Sequence, residues 1–237
     1  MDKLILRGEY KLLLEVCNVK KDYYKQGIFY RNKYKERVFE DLTFQINKNE
    51  VVGLVGESGA GKSTLARLLI GLEKPSGGAI YFEGKDIQSF RRHRLKKFRM
   101  DCQLIFQDNL AAFNPRLRII DSLREPLDTH LKKDKQTIYS HIKFFIESVG
   151  LDTELLNRYP NELSGGELQR INILRAISLR PKLLICDEIL ANLDNISKKL
   201  TLNLLKDLKD ENGMSVLFIS HDREAMREFC DRYIILG

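Results

Sequence analysis

The stretch Val51-Val52-Gly53-Leu54-Val55-Gly56-Glu57-Ser58-Gly59-Ala60-Gly61-Lys62-Ser63-Thr64 decides the fold of this chain. Its first five residues form a continuous apolar run, the pattern of a central strand buried on both faces. Beyond it, Leu65, Leu68 and Leu69 recur at helical spacing. Between strand and helix, Gly56–Ser63 matches GxxxxGK[ST]. In that pattern glycines let backbone N–H groups curl around phosphates, aided by the helix N-terminus. Lys62 is then placed to reach β- and γ-phosphates, and the Ser63 hydroxyl to bind Mg²⁺. The rival reading is an ordinary glycine-rich turn, and the strand before it and helix after it argue against that.

Outward from this loop the chain alternates. KLLLEV (11–16) and LTFQI (42–46) read as strands before it. SGGAIYFEG (76–84) reads as a turn and short strand, and CQLIF (102–106) as another buried strand. Residues 108–163 are helical in pattern, as in HIKFFIESVG (141–150), and are punctuated by Pro115, Pro126 and Pro160. Strand and helix then resume: a helix over 165–179, KLLICDE (182–188), a helix over 195–209, SVLFIS (215–220), a short helix and RYIILG (232–237). Alternating β and α units imply an α/β fold with a mostly parallel sheet, interrupted by a helical insertion.

Composition sets the bounds. With 237 residues, 43% hydrophobic, the chain can build a proper core and is not of a disordered class. No apolar run approaches the roughly 20 residues of a spanning helix, and the start, MDKLILRGEYKLLLEV, shows no export signal. Forty basic against 33 acidic residues leave a charge of +7, densest in RNKYKER (31–37) and RRHRLKKFR (91–99). Such a surplus suits a polyanion, although solvated side chains on a loop and a helix explain it equally. Cys17, Cys102, Cys186 and Cys230 form no CxxC pair, which points to a reducing compartment.

Two further motifs carry chemistry. Asp187 and Glu188 end the apolar run LLIC, at the edge of the sheet where ligands bind in open α/β folds. There Asp187 can hold Mg²⁺ and Glu188 can deprotonate an attacking water. Leu163-Ser164-Gly165-Gly166-Glu167 opens a helix. Ser164 and Glu167 have capping-box spacing, but a cap does not need two glycines, each costing a helix roughly 1 kcal/mol. Close approach of a phosphate to the backbone explains them.

These motifs, in this order, resemble the ATP-binding subunits of ABC transporters over nearly the whole chain. LSGGE is similar to the family's signature motif, with Glu167 where Gln is more usual. The resemblance implies further roles: Gln107 in IFQD as the Q-loop glutamine, Asp194 in ANLD as the D-loop aspartate, and His221 in FISHD as the switch histidine. Tyr23, adjoining Tyr24, is the best match to the aromatic that stacks on adenine. The nucleotide-binding set is then Tyr23 and Gly56 through Thr64 (Gly56, Glu57, Ser58, Gly59, Ala60, Gly61, Lys62, Ser63, Thr64), with Glu188, His221 and Gln107 catalytic. Ser63, Gln107 and Asp187 would hold Mg²⁺. Each has a bland counterpart: Asp194 can simply cap the next helix.

The fold implied is that of a P-loop ABC ATPase: a RecA-like parallel core, an antiparallel β-subdomain and a helical subdomain. One domain over 1–237 is expected, with residues 1–107 and 164–237 as core and 108–163 as the subdomain contacting membrane subunits. Phe113 and Arg116 are expected on its surface. NPR (114–116), the insertion bearing RNKYKER and the style of DEILANLD resemble the oligopeptide, dipeptide and nickel importer branch. Expected partners are ATP, a second ATPase subunit joined head to tail, two integral membrane permease subunits and, indirectly, an extracytoplasmic solute-binding protein. The expected location is the cytoplasmic face of the membrane, peripherally attached. A soluble ABC ATPase acting on nucleic acid is the alternative. It is disfavoured because the chain has neither fused ATPase units nor a long coiled coil, so no nucleic-acid partner is expected. The presence of both Glu188 and His221 argues against a non-hydrolysing regulator.

Overall fold

A five-stranded, wholly parallel sheet sits at the centre of the computed structural model, which describes residues 11–26, 33–130 and 134–236. The elements run β1 (Leu12–Gln26), β2 (Lys33–Asn47), β3 (Val51–Gly56), α1 (Lys62–Leu69), β4 (Gly77–Phe82), β5 (Lys85–Asp86), α2 (Arg92–Asp101) and β6 (Cys102–Ile105). They continue with α3 (Ile119–His130), α4 (Lys135–Ser148), α5 (Gly165–Ile177), β7 (Leu183–Asp187), α6 (Asn195–Asn212), β8 (Ser215–Ile219), α7 (Arg223–Phe229) and β9 (Arg232–Leu236). The reading of the chain's start rests on residues 1–10, which lie outside the described residues, as do Arg31 and Asn32 of the first basic run.

The parallel sheet has the order β6-β7-β8-β3-β9. Every residue of β7 and β8 is buried, as expected of strands covered on both faces. Alternation divides them between two cores. Val216 and Phe218 join Leu184 and Cys186 against α5 and α6, while Leu217 and Ile219 join Leu183, Ile185, Val52 and Leu54 against α1 and the second sheet. Because the strands run the same way, their carboxyl ends share one edge. The glycine-rich loop after β3, Gln107 after β6, Asp187 and Glu188 at the end of β7, and His221 after β8 therefore emerge together.

The second sheet, β2-β1-β4-β5, is antiparallel. β1 and β2 are 15 residues each, far longer than the expected runs 11–16 and 42–46. The ladder shifts register at four places between Leu12 and Asp22, and bulges of this kind destroy the period-two pattern on which the sequence reading depends. The first basic run is partly absorbed here: Lys35 and Arg37 lie 3.1 and 3.2 Å from the carboxylate of Asp22, whose side chain is only 3% exposed. The second run forms α2.

Residues 108–163 hold α3 and α4, which pack on each other and on α5. Pro126 lies inside α3 rather than ending it. Burial of Ile119, Leu123 and Leu127 outweighs the lost backbone hydrogen bond. Phe113 corrects an expectation. It is buried, 4% exposed, within the core that α5 lines, with the Arg175 guanidinium 5.3 Å from its ring centroid. Arg116 is exposed.

Candidate functional site

At the carboxyl edge of the parallel sheet lies a cleft of about 850 Å³. It brings together Tyr23, Ser58, Gly59, Gly61, Lys62, Ser63, Thr64, Gln107, Asp187, Glu188 and His221 from positions spread over nearly 200 residues of chain. Gly56, Glu57 and Ala60 border a groove on the other flank of the same loop. Leu163 to Glu167 and Asp194 do not line the cleft.

The loop's shape comes from Gly61, which is both the N-cap of α1 and left-handed, at φ 94°. A Cβ there would collide with Val38 of β2, so backbone conformation and the closeness of the second sheet both require glycine. The first turn of α1 has neither a side-chain cap nor an acidic residue. Its N–H groups and dipole are left to an anion. Lys62, 7% exposed, donates to the Gly56 and Glu57 carbonyls, both at 2.9 Å. These bonds hold its ammonium at the mouth of the loop.

Opposite stand the two acidic residues of β7. Asp187 is 4% exposed and its Oδ1 has no hydrogen-bond partner within the described residues. A buried, unpartnered carboxylate oxygen calls for a cation. With the Ser63 hydroxyl and the Gln107 amide bordering the same cleft, the donor set is the hard oxygen type that Mg²⁺ takes. Among the described residues no group of three or more His, Cys, Asp or Glu gathers as a metal site, and Mg²⁺ in phosphate sites draws its remaining ligands from phosphate and water. The residues fit.

Glu188 follows in a left-handed backbone conformation, φ 53°, a strain that a non-glycine residue tolerates only where the surroundings impose it. Its N–H donates to Ile219 O at 2.9 Å, tying it to β8. Burial pushes its carboxyl above the ordinary glutamate range, against the opposing pull of His221 and Lys62. His221 Nε2 lies 3.0 Å from Glu188 Oε1, and its backbone N–H donates to Oε2 at 3.4 Å. A carboxylate of raised proton affinity, held in a cleft beside an imidazole, suits a general base.

The start of α5 is a separate surface. Ser164 and Glu167 form the capping box in full: Glu167 N–H donates to Ser164 Oγ at 3.3 Å, and Ser164 N–H to Glu167 Oε2 at 2.8 Å. The two glycines differ. A Cβ on Gly166 would press on Ser197 Oγ and Cβ, at 2.8 and 3.2 Å, whereas on Gly165 it would meet only Leu193 at 3.9 Å. Packing against Ser197 is thus a sufficient reason for Gly166 by itself, whereas Gly165 has no such neighbour among the described residues. Asp194 caps α6, accepting from the N–H groups of Ile196 and Ser197.

Sequence reasoning missed Val38, which presses on Gly61, and Lys198, which borders the cleft 3.2 Å from Asp222. Val38 lies in the bulged hairpin and Lys198 in the first turn of an ordinary amphipathic helix, so no local pattern marks either.

A phosphate loop, two strand-end acids and a histidine on one edge of a parallel sheet define a nucleoside-triphosphate-hydrolysing fold. The chain belongs to the ABC transporter family, whose sequence profile matches residues 39–191, and it is an ATPase. The oligopeptide transport ATP-binding protein OppF of Salmonella typhimurium is 40% identical over 230 residues, covering 95% of this chain and 69% of that protein. The nickel import ATP-binding protein NikE of Shigella flexneri is 38% identical over 224 residues, covering 94% and 83%. In three dimensions the chain is similar to an ATP-binding cassette solved as a dimer in a post-hydrolysis state with ADP and Pi. The TM-score is 0.84 at 27% identity, over 95% of this chain and 94% of that one.

Proposed function

We propose that this chain powers an importer for peptides or for nickel and metal–metallophore complexes, hydrolysing Mg-ATP between two ATPase subunits joined head to tail. The observation that carries the reading is Gly165. A glycine in a helix costs roughly 1 kcal/mol, and among the described residues no neighbour requires one at Gly165. A phosphate held by a second ATPase subunit supplies the reason, since it needs the bare backbone of Ser164, Gly165 and Gly166. A structural neighbour solved as a dimer supports the arrangement.

In the cleft, Lys62 and the N–H groups of residues 58–63 would grip the β- and γ-phosphates. Ser63, Asp187 and Gln107 would hold Mg²⁺, which when bound offsets charge on the phosphate oxygens. Glu188 takes a proton from the attacking water, and His221 steadies its carboxylate from one side. Tyr23 stacks on adenine, and Asp194 faces the partner subunit as the D-loop. Residues 108–163 dock the membrane subunit on the cytoplasmic face of a complex that holds two permease subunits, with Gln107 as the hinge that reports γ-phosphate to it. A solute-binding protein delivers the cargo on the far side. The transport named in OppF and NikE favours this over action on nucleic acid. Among the described residues no helix is long and apolar enough to cross a membrane.

Gly165→Asp tests the reading. The open space around Gly165 accommodates the side chain, and an acid in a first turn favours the helix by about 0.3–1 kcal/mol. The variant should melt no lower than the parent and still bind ATP at the Lys62 loop. Its carboxylate would confront the γ-phosphate across the dimer, so turnover should be lost. Full turnover in a folded, ATP-binding variant would refute the composite site.

A further inference from the structure

Three observations converge on Glu73, in the connection between α1 and β4. The Tyr23 hydroxyl donates to Glu73 Oε2 at 2.6 Å. Lys21 Nζ lies 2.8 Å from the same oxygen, donates to the Lys74 carbonyl at 3.1 Å and sits 4.6 Å from the centroid of the Tyr23 ring. Arg67, in the last turn of α1, lies 3.7 Å from Oε1. Burial works to raise the Glu73 carboxyl, but Lys21, Tyr23 and Arg67 outweigh it and hold it below the ordinary range. It is therefore charged. The strand itself is fastened to the same connection: Asp22 N–H donates to Ser76 Oγ at 3.0 Å, and Ser76 N–H to Lys20 O at 2.8 Å.

The topology gives these contacts a consequence. Glu73 closes the far end of α1, whose near end carries Lys62. This eight-residue helix spans about 12 Å at 1.5 Å per residue, so a single rigid rod links the phosphate loop to the group that grips Tyr23. We propose that Glu73 is a positioning residue that fixes Tyr23 as the platform for the nucleotide base. Its carboxylate pins the phenol by the hydroxyl and holds the Lys21 ammonium over one ring face, so the base stacks on the other. This rests on the reading of Tyr23 as the base-stacking residue. Tyr24, which points off the other face of β1, is 66% exposed, and among the described residues the hydroxyl bonded to Glu73 is that of Tyr23. An unpinned ring would have to be ordered when nucleotide binds, and that ordering weakens binding. Only the base should register the difference, because the phosphate loop is built without Glu73.

The experiment measures, on the full chain, equilibrium binding of Mg-ATP and of Mg-tripolyphosphate, which offers the phosphates without a base. Glu73→Gln keeps the shape and removes the charge, and Tyr23→Phe keeps the ring and removes the hydroxyl. Each should weaken Mg-ATP by roughly three- to tenfold and leave Mg-tripolyphosphate unchanged. The double variant should be little worse than the weaker-binding single, since the two residues act as one unit. Unaltered ATP affinity in Glu73→Gln, equal weakening of both ligands, or additive losses would each overturn the role of Glu73. Tyr23→Ala separates the premise: if it binds Mg-ATP as the parent does, the stacking reading itself falls. If it binds weakly while Glu73→Gln is normal, only the positioning role falls.

Discussion

Two helices of this ATPase begin at glycines, and their beginnings are built oppositely. At α1 the N-cap is left-handed Gly61, with no side-chain cap and no acid in the first turn. At α5, Ser164 and Glu167 satisfy the terminus from within the chain. The first start is an open electrostatic socket, ringed by Lys62, Asp187, Glu188 and His221. The second is stable by itself and brings no acid–base chemistry of its own. The contrast teaches how a helix start can be finished: one is left without a cap for an anion to complete, while the other is completed by its own Ser164 and Glu167 and leaves Gly165 clear of packing.

The sharpest way to break this comparison is at the chemistry beside α1. Replacing Glu188 with Gln should leave ATP bound and cut turnover by the 10²–10⁴-fold of a lost general base. Rapid-quench measurement of phosphate release would expose undiminished hydrolysis, and that result would transfer the base to another group. Next in size, Lys62→Ala should weaken ATP by at least tenfold through loss of charge-assisted hydrogen bonds. Titration with a labelled nucleotide reads this directly, and unchanged affinity would reduce the loop to a structural turn.

Smaller effects sharpen the α5 side. Gly165→Ala should raise the melting temperature, because helix propensity gains up to about 1 kcal/mol in open space. Gly166→Ala should lower it by a comparable amount. Its Cβ displaces Ser197 Oγ, which donates to Asp194 at 2.6 Å, and so disturbs the cap of α6. Equal shifts in the two variants would dissolve the distinction between a packing glycine and an interface glycine. The least effect concerns pH. Hydrogen bonds from the Ser164 hydroxyl and N–H hold the Glu167 carboxyl below its usual range, against burial. A depressed carboxyl contributes stability that is present above the unfolded value of about 4.3 and is lost as pH falls through the folded value. Glu167→Gln should therefore lower stability by at most a few tenths of a kcal/mol near neutrality, since solvent screens the partly exposed carboxylate, and the gap from the parent should close in acid. A pH-independent gap in thermal melts would mean that the carboxylate is not what the cap uses.

Where the sequence was legible, the signal was local. The phosphate loop, the acids ending LLIC and the capping box each fit within eight residues, because backbone conformation, charge and helix polarity act at that range. The parallel core was readable for the same reason: continuous apolar runs such as VVGLV and SVLFI have nowhere to lie but between two covered faces. The β1–β2 hairpin was not, because four register shifts within one strand erase its periodicity. Phe113 was misjudged because a polar, proline-marked neighbourhood says nothing about the Arg175 face that covers it.

The amino-acid sequence by itself determined the fold class, the family and the residue types of the cleft. Only the tertiary structure decided which glycine of the α5 pair is free of packing, which of two adjacent tyrosines is pinned, and that Asp187 keeps an unpartnered oxygen. Those three facts depend on groups 31, 50 and more residues away in the chain, Ser197 and Glu73 among them. Such contacts arise from the packing of whole elements, which leaves no pattern in the residues on either side.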